Sequence, residues 1–371
     1  MIRALRNTQL TLLVIALLIA SIGILSIYSS TYRKEGSAWK TAFKRQIIWV
    51  ILGAFFFILI SNLNYRRILD ATNFLYGLTV FLLFLVFIIG VIRLGAQRWL
   101  KFFWLNFQPS ELAKLTVLIF FAKYFSYKSV KDISLKVGSF GVVRSLLIPL
   151  FFVFIPVGLI VEQPDLGSAV MVFSVFLIML FISGARLKYI FSFLSLILLS
   201  LPLLWHFLRD YQKERLLVFL NPNIDPLGAG YTVIQSKIAI GSGGIFGKGW
   251  LSGTQSQLHF LPESHTDFIF ATFAEEWGAF GAIFLLSLYY FLIRQGIAIG
   301  LRTNDYFGRL LAIGISSLLC LQVFVNIAMN LGLAPVVGLP LPLMSYGGSS
   351  LFVTFVSLGI LANIDRTRAV F

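Results

Sequence analysis

HFLPESHTDFIFATFAEEWGAFGAIFLLSLYYFLIR, residues 259–294, passes from a polar run to an apolar one at a single acid, Asp267. From Phe268 to Ile293 most positions are apolar, enough for a bilayer-crossing helix, which takes about 20 residues. Asp267 therefore stands at the mouth of a predicted span, where an ionised group is costly and needs a reason. Glu275 and Glu276 follow on the same span, and on a straight helix Glu275 lies about 12 Å below Asp267. Both are expected to face the bundle interior, in either a hydrogen-bonded structural role or a proton-handling one.

The rest of the chain follows the same pattern. Of 371 residues only 12% are charged and 58% are hydrophobic, and long apolar runs recur from Thr8 to Ala362. The predicted class is an all-α polytopic membrane protein built as one membrane domain. Spans are expected at residues 8–28, 46–63, 72–92, 109–126, 143–161, 166–184, 187–208, 268–294, 307–331 and 348–364. The first reads as a retained span, since Arg3 and Arg6 precede it and no small-residue cleavage site follows. A single cysteine, Cys320, excludes an intrachain disulfide. The net charge of +15 is scattered through short loops. That distribution points to anionic lipid headgroups or a phosphate-bearing substrate and away from nucleic acid.

Ten spans put both termini on one side. Short loops on that side carry sixteen Lys and Arg against eight on the other, which places the termini in the cytoplasm. One large segment, residues 209–266, is then extracytoplasmic. It is Gly-rich, and apolar residues such as Tyr231, Trp250 and Phe260 lay it against the bundle, with short amphipathic or re-entrant pieces expected around Tyr231 to Ala239.

Several charged residues gather at the predicted outer ends. Gln108-Pro109-Ser110-Glu111 and Gln163-Pro164-Asp165 each set Gln-Pro and then an acid at the start of a span. Two readings stand, a well-capped helix or a functional acid. Glu111 and Lys114 are three apart, share a helical face, and pair either structurally or along a substrate path. Arg93, Arg98, Arg215, Lys237 and Lys248 run against the charge bias and are candidates to meet an anion. Beside the outer carboxylates, they point to a site that binds a diphosphate and removes a proton.

Gly241 to Gly249 resembles a phosphate loop but fails its pattern: Ser242 replaces the first glycine, Gly249 follows Lys248, and no strand precedes it. Its amides and Lys248 remain candidates for an anion contact. His259, Glu263, His265 and Asp267 match no zinc spacing, so no resident metal is assigned, although a divalent cation such as Mg or Mn bridging diphosphate and carboxylate is compatible with the site. Gln322, Asn326 and Asn330 form a polar stripe expected to bond between helices. The Pro-rich stretch before Met344-Ser345-Tyr346 reads as a broken-helix or re-entrant connection.

Together these blocks resemble the SEDS family (shape, elongation, division and sporulation), its RodA branch more than its FtsW branch. The resemblance rests on the two Gln-Pro blocks, Gln235 to Gly244, Pro262 to Phe268, and Pro340 to Gly348, in family order over most of the chain. It implies a peptidoglycan glycosyltransferase in the bacterial plasma membrane that polymerises lipid II at the outer face during elongation, partnered by a class B penicillin-binding protein. Asp267 matches the family's proposed catalytic Asp, Glu111 and Lys114 its charged pair, and Asp165 a cavity acid. Around them, Arg98, Arg215, Lys237, Lys248, Glu263, His265 and Ser345 are the expected cavity residues.

The chemistry agrees with this reading. Joining two lipid-linked sugars needs a base at the acceptor hydroxyl, and Asp267 is the best placed; burial raises its pKa while nearby cations oppose that. The diphosphate leaves as a stable anion and calls for charge stabilisation, so one carboxylate with cations suffices and the donor anomeric centre inverts. Two rivals remain: a flippase for lipid-linked precursors, kept open by Glu275, Glu276 and the Asn stripe, and a non-catalytic scaffold for the crosslinking enzyme.

Overall fold

A computed structural model describes residues 2–33, 41–93, 96–102, 105–127, 147–185 and 187–367. The loop cations Lys34, Lys40, Lys128, Lys131, Lys136, Arg144, Arg186 and Arg368, and the first residues of the span expected at 143–161, lie outside them. The chain is a helical bundle with elements α1 (Ile2–Thr31), α2 (Ala42–Asn62), α3 (Arg66–Ile89), α4 (Pro109–Tyr127), α5 (Ile148–Glu162), α6 (Leu166–Ile182) and α7 (Leu187–Phe207), followed by α8 (Asp210–Leu220), α9 (Ala229–Gly243), the single turn α10 (Thr254–Gln257), α11 (Ile269–Arg302), α12 (Tyr306–Asn330) and α13 (Gly348–Thr367).

Among the described residues six helices, not ten, are long and apolar enough to cross a membrane by length and composition: Thr8–Thr31 within α1, then α2, α3, α11, α12 and α13. Two others, α5 and α6, are apolar but shorter, at 15 and 17 residues. Helix α4 carries Glu111, Lys114 and Lys123 within its 19 residues. These charges and short lengths separate them from the clear spans.

A second departure from the all-α expectation lies between α3 and α4. Val91–Arg93, Ala96–Phe102 and Leu105–Phe107 form a small antiparallel sheet, β1 to β3 in sequential order. Arg98 and the buried Leu100 alternate with Gln97, Trp99 and Lys101, the period-2 pattern of a strand. The sheet holds Arg98 beside the start of α6, where its guanidinium donates to the Gln163 and Pro164 carbonyls.

Close packing in the bundle uses small residues, as expected where lipid removes the hydrophobic drive between helices. Gly53 of α2 faces the Phe355 ring, Gly359 of α13 faces the Phe57 backbone, and Gly296 of α11 rests on Ser316 of α12. Asn363 ties the end of α2 to α13 by donating to the Ile60 carbonyl (2.6 Å) and accepting from Tyr65 N (3.1 Å).

Helix α11 is two helices joined at Gly278, whose φ of 65° and ψ of −166° belong to a region that glycine alone occupies readily. Unbroken helix would place Gly296 about 43 Å from Asp267. Yet the Asp267 carbonyl accepts from Asn326 and Asn330, both at 3.0 Å, while Gly296 sits on Ser316, which is only about 21 Å from Asn330 along α12. The chain therefore turns sharply at Gly278.

The sense of the turn follows from α1. Thr266 accepts from Ser345 Oγ at 2.6 Å, and the neighbouring Met344 backbone rests on Gly23. Glu276 instead accepts from Ser29, about 9 Å nearer the Thr31 end of α1. So Glu275 and Glu276 do not lie below Asp267, as a straight helix predicts; residues 269–277 double back and leave Asp267 sunk beneath them.

The glycine segment makes this break affordable in hydrogen bonds. Lys248 N and Gly249 N donate to the Glu275 and Glu276 carbonyls, both at 3.0 Å, while Ala279 N and Phe280 N donate to the Gly244 and Ile245 carbonyls at 2.9 and 3.0 Å. These are the groups that the interruption of a helix leaves without partners. The packing admits no side chain, since a Cβ at Gly278 collides with Gly247 N and Ile245 O.

Gly278→Ala is accordingly expected to destabilise the protein by about 2–4 kcal/mol through strain and collision together. Gly158→Ala, at a helical position with open space around it, is expected to leave the melting temperature unchanged or slightly higher. Thermal unfolding of both variants in detergent compares them, and equal melting temperatures contradict the assignment.

Candidate active site

Asp267 is held by its backbone carbonyl. Asn330 bridges Asp267 to its own helix and to α11: its amide donates to the Asp267 carbonyl and to Asn326 O (2.8 Å), and its Oδ1 accepts from Ala271 N (3.2 Å). Asn326 donates to both Asp267 O and Leu339 O (2.7 Å). The polar stripe of α12 is thus the clamp of the segment that bears the acid.

The Pro-rich stretch supplies a second clamp. Ser345 Oγ donates to Thr266 O and accepts from Leu341 N (2.8 Å), Tyr346 N donates to His265 O (2.9 Å), and the Tyr346 ring lies 5.7 Å from the imidazole of buried His265. Gln46 of α2 then donates to Ser345 O at 3.0 Å. Ser345 and His265 support the loop from behind through these bonds. Glu263 adopts a left-handed φ of 48°, takes Thr266 N (3.1 Å) and Phe268 N (3.2 Å) on its carbonyl, and receives Thr266 Oγ1 on its carboxylate (3.0 Å).

The electrostatic field joins residues far apart in the chain. Burial pushes the half-buried Asp267 carboxyl up to about 7; the Glu263 carboxylate adds to the rise, Arg215 and Arg98 oppose it, and Asp165 contributes a smaller upward push. Asp165, 2% exposed, caps α6 by accepting Ser168 N (3.2 Å), receives Gln108 Nε2 (3.0 Å) and Ser110 Oγ (3.1 Å) from the start of α4, and lies 4.0 Å from Arg98. Arg215, on α8, lines a narrow cleft with Phe219, Val233, Gly332 and Pro335. A near-neutral carboxyl thus shares a field with two guanidiniums, the combination a proton acceptor and an anionic leaving group require.

The remaining candidates sit elsewhere. Glu111 and Lys114 form a buried pair at 2.7 Å in the first turns of α4, one turn from Ser110 and its bond to Asp165. Lys237 is exposed, with its stem against Gly332. Lys248 bonds Glu275 at 2.7 Å, and Thr254 Oγ1 and Gln255 N complete the acid's partners at 3.0 and 3.1 Å, so this lysine and its loop amides serve the break in α11. Among the described residues no group of three or more His, Cys, Asp or Glu is arranged to hold a metal ion. Gln108, Ser110 and Gln163 join the site through Asp165 and Arg98, and the repeated Gln-Pro-acid pattern was the signal that marked them.

Comparison with known proteins gives concordant results. The model of the FtsW, RodA and SpoVE family, described as cell cycle proteins, matches residues 9–370. The peptidoglycan glycosyltransferase MrdB of Escherichia coli strain K12 is 43% identical over 359 residues, covering 96% of this chain and 93% of its own length. Stage V sporulation protein E of Bacillus subtilis is 36% identical over 370 residues, 97% of either chain. Among solved structures, the rod shape determining protein RodA of Thermus thermophilus superposes with a TM-score of 0.70 at 29% identity over 96% of both chains. A chain from a peptidoglycan synthase complex that coordinates polymerization and crosslinking gives 0.79 at 35% identity, covering 96% of this chain and 97% of its own.

The raised Asp267 carboxyl has a consequence for stability. A carboxyl bound to its proton more tightly in the fold than in the unfolded chain favours folding at low pH, and that contribution is fully present below about 3.8 and lost progressively as pH rises from there through about 7. Asp267→Asn, which cannot ionise, is expected to raise the melting temperature clearly more at about pH 8.5 than at about pH 5.5. Thermal unfolding at both pH values decides; an equal effect at each would contradict the raised pKa.

Proposed function

The chain belongs to the FtsW, RodA and SpoVE family of cell cycle proteins, and from that premise and the site we infer that it is an inverting peptidoglycan glycosyltransferase polymerising lipid II in the bacterial plasma membrane. The observation that carries the mechanism is the Asp267 carboxyl near neutrality in the shared field of Arg98 and Arg215. Asp267 takes the proton of the acceptor sugar hydroxyl, and the resulting nucleophile attacks the donor anomeric carbon from the face opposite the diphosphate. The C–O bond to the diphosphate breaks as the new glycosidic bond forms, so the centre inverts. Arg98 and Arg215 receive the departing charge, while Asp165 orients Arg98 and joins the starts of α4 and α6. Glu111 and Lys114 keep the first turns of α4 rigid beside that junction.

In this reading the single membrane domain has ten spans, α4, α5, α6 and α7 adding to the six clear ones. Both termini are cytoplasmic, residues 209–266 lie outside, and the reaction occurs at the outer face. A class B penicillin-binding protein crosslinks the product, a pairing supported by the likeness to a synthase chain that works with a crosslinking activity. Glu275, which kept a transport pathway open on sequence grounds, is engaged by Lys248, Thr254 and Gln255, and that engagement favours the enzyme over the flippase.

Purified protein with its crosslinking partner, supplied with labelled lipid II, is expected to form glycan polymer, and Asp267→Asn to lose about 100-fold or more of that rate. Arg98→Gln and Arg215→Gln are each expected to cost about 10- to 100-fold. Undiminished polymer from Asp267→Asn would refute the base, and bilayer translocation without polymer would establish the flippase.

A further inference from the structure

The far end of α4 carries a second cavity, of about 480 Å³, that the reaction does not use. Its floor is aromatic: the Phe120 ring lies 4.6 Å from that of Tyr76 and 5.0 Å from that of Phe152. Tyr76 Oη donates to the Phe152 carbonyl at 2.6 Å, so the one polar group of the floor is satisfied and the floor is fixed across three helices. The rim has the opposite character, with Asn73, Lys123, Tyr124 and Tyr127 around the opening. Lys123 enters no ion pair among the described residues, and Tyr127 is 69% exposed.

An apolar floor below a cationic, hydroxyl-bearing rim at the end of a membrane helix suits an amphiphile with an anionic head. The surroundings identify the medium it comes from. Phe74 and Phe151, next in the chain to Asn73 and Phe152, are 71% and 63% exposed, so the helices flanking the cavity present bare apolar surface that only acyl chains cover favourably. A soluble anion would have no use for the aromatic floor, whereas the headgroup and acyl chain of one lipid match the cationic rim and the apolar floor together.

We propose that this cavity, lined by Tyr76, Phe120, Lys123, Tyr127 and Phe152, is a binding site for an anionic phospholipid of the leaflet at the Lys123 end of α4. The phosphate meets Lys123 and the Tyr127 hydroxyl, and one acyl chain lies on the Tyr76, Phe120 and Phe152 rings. Because α4 also carries Ser110, Glu111 and Lys114 at its other end, about 20 Å from Lys123, a lipid held here braces the helix that helps build the reaction site.

The test is lipid retention by the full-length protein in native mass spectrometry, with phosphatidylglycerol and phosphatidylcholine offered in equal amounts. Wild type is expected to keep one phosphatidylglycerol at least about fivefold better than phosphatidylcholine, the preference one lysine near an anionic headgroup supplies. Lys123→Gln is expected to abolish that preference and Lys123→Arg to retain it, while Lys101→Gln, an exposed charge on β2, leaves it intact. Excess inorganic phosphate is expected not to displace the lipid. Equal retention of both lipids by wild type, an unchanged preference in Lys123→Gln, or displacement by inorganic phosphate would each overturn the proposal.

Discussion

The four backbone hydrogen bonds between the glycine segment and the break at Gly278 set the geometry on which the rest of the bundle depends. A helix interrupted inside a membrane protein exposes carbonyls and amides that lipid cannot satisfy, and each such group costs several kcal/mol, of order 2–7 by transfer measurements. Gly244, Ile245, Lys248 and Gly249 supply the missing partners from another part of the chain. With the break satisfied, residues 269–277 fold back and Asp267 ends up below them, beside α12 and the Pro-rich stretch. Without it, α11 is one rod of 34 residues, and Asp267 projects away from every group that now surrounds it.

Given that placement, the site is assembled by backbone clamps and tuned by charge. Asn326, Asn330 and Ser345 bond main-chain carbonyls, so the loop is held without engaging the carboxyl proposed as the base. The carboxyl itself lies in a contest of fields: burial and two acids favour its proton, while two guanidiniums favour the anion. The outcome near neutrality is what a general base at physiological pH needs. A base made stronger by burial alone would be protonated too often, and one stabilised fully by cations would be too weak. In the proposed reaction the same cations receive the leaving diphosphate, so tuning and catalysis would draw on the same two residues.

Much of this was legible in the residues taken alone, and the remainder was hidden for identifiable reasons. Apolar runs mark a polytopic helical protein, the Asn stripe at spacing four marks an interhelical bond, and the acids and cations near the helix starts mark a charged outer end. The break at Gly278 was not legible, because a glycine in an apolar run looks like any packing glycine until its φ is known. The fold-back hid the true relation of Glu275 to Asp267, and the pairing of Lys248 with Glu275 joins residues 27 apart in sequence. The small sheet rests on a pattern of only five residues, too short to outweigh its neighbouring spans. Arg98 and Asp165, 4.0 Å apart, meet through the packing of α4 on α6, which no local pattern encodes.

The central claim is that Asp267 works as a base whose proton affinity is set by its neighbours. The most direct measurement is the pH dependence of the single-turnover polymerisation rate, in wild type and in Glu263→Gln. In wild type the rate should fall on the acid side with a midpoint near about 7. In Glu263→Gln, which removes the acid that most strongly reinforces the proton after burial, the midpoint should move to lower pH. A rate that is flat between about pH 5.5 and 8, or a midpoint indifferent to Glu263, would contradict the account.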